Sequence, residues 1–135
     1  MEKNEENIIE PLLISEEKVR ENLKMLVSKA TSFISIEDKT GRIIFNKNNL
    51  ANWEKVGLLL VGKYFAEIGK LVKTSTLTMR EIASELELPI TTIPAPLKKL
   101  IRLGYVEKTG KSYRIRFSQI EKFLNELIKK HGEKT

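Results

Sequence analysis

Apolar positions along the chain switch between helical and strand spacing. Val19, Leu23, Leu26, Val27 and Ala30 recur at helical intervals, so a helix is expected to about residue 31. Ser15 is its candidate cap, and Glu16 and Glu17 suit the positive end of its dipole. Ahead of it, residues 1–14 read as a loose tail in which Ile8, Ile9, Leu12 and Leu13 could dock on a neighbour. Two short β-branched and aromatic runs, residues 33–36 and 42–45, flank the turn Asp38-Lys39-Thr40-Gly41 and predict a β-hairpin. The hairpin is either a partner-binding edge or a small sheet packing the first helix against the rest. A polar link follows, with Asn49 or Asn52 available to cap the next element. Residues 53–72 are apolar nearly all round, which predicts a helix buried on more than one side, although Gly57, Gly62 and Gly69 weaken it.

The second half is more legible. Thr78-Met79-Arg80-Glu81 has the form of a capping box, and Ile82, Ala83 and Leu86 face inward on a short helix expected to stop at Leu88-Pro89. A second helix is expected from Thr91 or Thr92, with Ile93, Leu97, Leu100 and Ile101 buried and Gly104 as its left-handed cap. Strand, tight turn and strand follow over residues 105–117, where Tyr113, Ile115 and Phe117 alternate with Arg114 and Arg116. A second capping box, Ser118 with Glu121, is expected to open a last helix striped by Ile120, Phe123, Leu124, Leu127 and Ile128. That stripe either folds back on the long helix or forms a two-fold dimer.

Charge sharpens this picture. The net charge is +6, yet residues 1–50 hold eight basic residues against nine acidic, while residues 51–135 hold sixteen against nine. Between residues 97 and 117, Lys98, Lys99, Arg102, Lys108, Lys111, Arg114 and Arg116 face a single acid, Glu107. Such clustering is the footprint of a surface that meets a phosphate backbone, against the plainer reading of a solvated basic surface.

The run of helix, short helix, turn, helix and basic hairpin over residues 53–117 resembles the winged helix-turn-helix family of archaeal and bacterial transcription regulators. Its firmest parts are Thr78-Met79-Arg80-Glu81-Ile82-Ala83 and Leu97-Lys98-Lys99-Leu100-Ile101-Arg102-Leu103-Gly104-Tyr105-Val106. The resemblance implies a mainly α fold with a small β component (α+β). With the residue patterns above, the chain is expected to divide into a tail (1–14), a helix-plus-hairpin extension (15–50), the winged domain (51–117) and a C-terminal helix (118–131). The resemblance also implies that the second helix enters the major groove of double-stranded DNA while the wing touches the backbone or minor groove. By position, Thr91, Thr92, Pro94, Ala95 and Lys98 would face the groove. The family usually carries Ser, Arg, Gln or His where this chain has Pro94, Ala95 and Pro96, and neither Pro nor Ala can read base edges by hydrogen bonds. Salt-sensitive binding through Lys98, Lys99, Arg102 and the wing residues Lys108, Lys111, Arg114 and Arg116, with modest sequence preference, is therefore expected. The alternative from another class is a protein-interaction module of a transcription or replication complex, using Pro94-Ala95-Pro96 as an apolar contact. Single-strand or RNA reading is less well supported, since beyond Tyr105 and Tyr113 the wing lacks the interleaved stacking aromatics that single-strand readers use.

Other classes find little support. With no cysteine and one histidine, His131, disulfides, thiol nucleophiles and zinc clusters are excluded, and no metal or cofactor is expected. No Gly-rich phosphate loop or nucleophile beside a base is present, so an enzyme is not expected; Glu81 and Glu85 read as a cap and a surface acid. Residues 1–10 are acidic rather than basic and then apolar, and charges interrupt residues 53–72, so a cytoplasmic protein without a membrane span is expected. Abundant charge and a lone glutamine, Gln119, resemble a thermophile's composition.

Overall fold

The computed structural model describes residues 16–132. Ser15 and the tail residues Ile8, Ile9, Leu12 and Leu13 lie outside them, as do the side chains of Glu16, Glu17 and Val19. Helix α1 (Glu16–Ala30) leads into strands β1 (Ile34–Ile36) and β2 (Ile43–Phe45), then the central helix α2 (Asn52–Ile68). Strand β3 (Leu77–Thr78), α3 (Met79–Leu86), a 3-10 turn (Ile90–Thr92) and α4 (Pro94–Arg102) follow. Strands β4 (Val106–Thr109) and β5 (Ser112–Ile115) form the wing, and a 3-10 turn (Phe117–Gln119) leads to α5 (Ile120–His131). Among the described residues, no helix is long and apolar enough to cross a membrane.

One continuous core joins these elements. Val56, Leu58, Leu60 and Val61 of α2 are wholly buried, and Leu26, Phe33, Ile43, Ile82, Leu100, Ile115 and Leu127 pack into the same cluster from every other layer. This is why α2 can be apolar nearly all round. The stripe on α5 is spent within the chain: Ile120, Phe123, Leu124 and Leu127 are fully buried and Ile128 packs against them, so these five side chains form no free face for a second copy. Phe123 reaches the backbone of α2 at Gly57, where a Cβ would collide with its ring, and stands edge-on to Trp53 and Tyr105. A side chain at position 57 would close that approach.

Several boundaries differ from the sequence expectation for identifiable reasons. Helix α2 stops at Ile68 rather than near residue 72, because Lys70 takes a left-handed φ of 62°. Its N–H then reaches Glu67 O at 3.0 Å and that of Leu71 reaches Ala66 O at 2.8 Å, closing the helix as a Schellman motif. Helix α3 ends the same way on Glu87, ahead of Pro89. Ser118 and Glu121 form no capping box: the cap position is Gln119, without a side-chain bond, and Glu121 faces Lys29. Ile101 and Val27 are exposed rather than buried, and Phe117 leaves the strand to lie against Tyr64. Strand β3, which pairs antiparallel with β5 and makes the sheet three-stranded in the order β3-β5-β4, had no sequence signal at two residues long.

Candidate nucleic-acid interface

The candidate interface draws on α3, α4 and the wing. Thr78 Oγ1 accepts from the Glu81 N–H at 3.2 Å, and the Glu81 carboxylate accepts from the Thr78 N–H at 2.8 Å, so the expected box does start α3. The chain then turns through Glu87, Leu88 and Pro89 into the 3-10 turn. There the Thr92 hydroxyl donates to Pro89 O at 2.7 Å, which ties it to the protein's own backbone. Pro94 opens α4 without loss, since the first N–H groups of a helix lack intrahelical partners. Pro94 and Ala95 are exposed, whereas Pro96 is buried with Leu97 and Leu100. Gly104, at φ +86°, then turns the chain into the wing, in a conformation other residues adopt at a cost.

In the wing, Lys108 pairs with Tyr113 and Thr109 with Ser112, so Gly110 and Lys111 form a two-residue tip. Tyr113 and Ile115 point into the core, while Arg114 and Arg116 are exposed on the opposite face. The Tyr105 hydroxyl donates to the Glu126 carboxylate, fixing the wing's root to α5. Burial, and then that bond and its charge, push the Tyr105 phenol up to about 12.

The seven basic residues expected at the interface are not equivalent. Lys98, Arg102, Lys108, Lys111 and Arg116 are exposed and make no ion pair with any described residue. Arg114 is bonded through Nε to Glu107 across the strand pair. Lys99 turns to the protein's own Trp53, with Nζ 4.3 Å from the ring centroid. Arg80 on α3, absent from the sequence-derived set, shares a notch with Ile90, Lys108 and Lys111. Sequence offered no periodic signal for Arg80, because it follows the capping threonine on a helix otherwise read for its core face.

Helix, turn and helix on a three-stranded sheet ending in a basic hairpin is the architecture of a winged helix-turn-helix. Residues 69–123 match the family model of TrmB, described as a sugar-specific transcriptional regulator. The matched stretch runs from the residue after α2 through the wing into α5; α1, the β1–β2 hairpin and all of α2 precede it. No match was found among curated proteins or among solved structures. The TrmB match thus coincides with the part of the chain that carries the candidate interface.

Proposed function

We propose that the chain binds double-stranded DNA as a transcriptional regulator or architectural factor, holding the duplex mainly by its phosphates and preferring sequence only modestly. The observation that carries this reading is the chemistry of the exposed surface of α4 and the wing. Pro94 and Ala95 occupy the opening turn of α4, where base-reading donors would stand, while Lys98, Arg102, Lys108, Lys111 and Arg116 are exposed on α4 and the wing without an ion pair to any described residue. Cations without base-edge donors give affinity without much discrimination. The TrmB match over the same residues supports a role in transcription. Titration of a labelled random-sequence duplex at several salt concentrations tests it. Micromolar binding that weakens steeply with salt is expected, and absence of binding even at low salt overturns the proposal.

A protein-interaction role is the second reading, favoured by apolar side chains exposed on and beside α4: Ile90 (45 %), Ile101 (41 %) and Leu103 (39 %). The double substitution Arg114→Glu with Arg116→Glu separates the two. It should abolish duplex binding, yet leave capture of a partner through an apolar face largely intact.

A further inference from the structure

Between the root of α3, the 3-10 turn and the wing lies a notch of about 460 Å³. Met79, Ile90 and Tyr113 give it an apolar floor, and Thr78, Arg80, Lys108 and Lys111 complete its lining. Lys108 Nζ sits 5.7 Å from the centroid of the Tyr113 ring, over the floor rather than away from it. Arg80 is exposed and has no ion pair with any described residue. Among the described residues no acid lines the notch, whereas the two cavities beside the β1–β2 hairpin both include Glu85.

We propose that this notch seats one deoxyribose–phosphate unit of a duplex, with Arg80 as a phosphate contact that the wing alone does not supply. The inference rests on the DNA-binding reading and adds to it a place and a residue. An apolar floor suits the C–H surface of a sugar. Cations on two sides suit the oxygens of its phosphate, and Arg can hold two of them at once in a fork. Lys108 and Lys111 come from the wing and Arg80 from α3, so the strand would be gripped between two separate elements. Register on the duplex would then depend on both. Ile90, exposed in an otherwise polar turn, gains a purpose as part of the wall against which the sugar rests.

The test is a duplex titration, read by fluorescence anisotropy over a range of salt, on the full chain and four variants, one of them Arg114→Glu with Arg116→Glu. Arg80→Gln should bind every duplex about tenfold more weakly and reduce the salt slope by about one. Arg80→Lys should recover most of the slope, because the charge is retained. Lys39→Gln, which removes an exposed cation from the β1–β2 turn, should change neither quantity. If Arg80→Gln binds like the parent while Arg114→Glu with Arg116→Glu does not bind, the notch is empty in the complex and the inference falls, leaving the DNA reading in place. If the parent chain itself fails to bind, both fall together.

Discussion

Glu54 and His131 lie 77 positions apart in sequence, yet Nε2 of the histidine stands 3.1 Å from one carboxylate oxygen and 3.2 Å from the other. Glu54 is fully buried at the first turn of α2, where it also accepts the Ala51 N–H at 2.7 Å and meets Lys130 Nζ at 2.9 Å. The carboxylate therefore caps α2 and latches the last turn of α5 onto it. Burial by itself pushes this carboxyl up. The bonds from Ala51, Lys130 and His131, with the charge of the histidine, outweigh burial and hold it below the ordinary value of 4.5. A carboxyl lowered in the folded state contributes stability above its unfolded value and loses it as pH falls through the folded one. Glu54→Gln should thus cost about 1–3 kcal/mol at pH 7. In urea unfolding, the gap to the parent should narrow from about pH 4.5 downward; a gap that stays constant with pH would show that the charge is not what matters.

Two neighbouring lysines on α4 should behave differently. Lys98 is free in solvent, while Lys99 rests on Trp53, which Lys130 also approaches at 5.6 Å from the ring centroid. Lys98→Ala is expected to lower the salt slope of duplex binding by about one. Lys99→Ala should leave that slope nearly unchanged, cost about 0.5–1 kcal/mol of stability, and shift the fluorescence of the chain's only tryptophan. Equal effects on the slope would place Lys99 on the DNA instead.

Glu107 is the one acid among the basic residues of α4 and the wing, and it holds Arg114. Glu107→Gln removes a negative charge from the surface and releases that guanidinium. Duplex binding at low salt should become several-fold tighter, with a steeper salt dependence by about one. The pair is partly exposed, so folding stability should hardly change. Weaker binding would mean that Glu107 positions Arg114 for its contact.

Gly57 measures how closely α5 packs. A methyl there would strike the Phe123 ring, which is fully buried and stands edge-on to both Trp53 and Tyr105. Gly57→Ala, although a better helix former, should lose about 1–3 kcal/mol in urea unfolding. Adding Phe123→Leu should cost less in that background than in the parent, a coupling that a mere helix-propensity effect would not produce.

The helix-turn-helix and wing were readable because each of their signals is local. Thr78 with Glu81 at capping distance, Gly104 after the last apolar residue of α4, and alternation through Tyr113 and Ile115 all operate within a few residues. What escaped the sequence depends on the far side of the fold. Nothing near Glu54 announces His131, and nothing near Lys99 announces Trp53. The left-handed Lys70 and Glu87 carry no local signal: lysine and glutamate are ordinary helix residues, residues 53–72 read as one helix through Gly69, and Pro89 alone accounts for a stop at Leu88. The fate of the α5 stripe, dimer or core, was open in sequence because both outcomes require the same apolar face.

Lys63 shows how the hairpin is tied to the helix-turn-helix. It is buried in α2, with Nζ 3.0 Å from Glu85 on α3 and donating to Gly41 O of the β1–β2 turn at 3.3 Å. Glu85, which reads as a surface acid in sequence, is thus the counter-ion of a buried cation. The two partners differ in exposure: 7 % of the Lys63 side chain meets solvent, against 30 % for Glu85. When Lys63 is removed, Glu85 can rehydrate; when Glu85 is removed, the ammonium is left in the interior. Lys63→Met keeps the apolar stem and should cost about 1 kcal/mol or less, whereas Glu85→Ala should cost on the order of 3 kcal/mol. Amide exchange in residues 37–41 should accelerate more in Glu85→Ala, because the turn hangs on the Lys63 head group. The reverse order of costs would mean that Lys63 finds solvent by another path and that the hairpin is held by its apolar face alone.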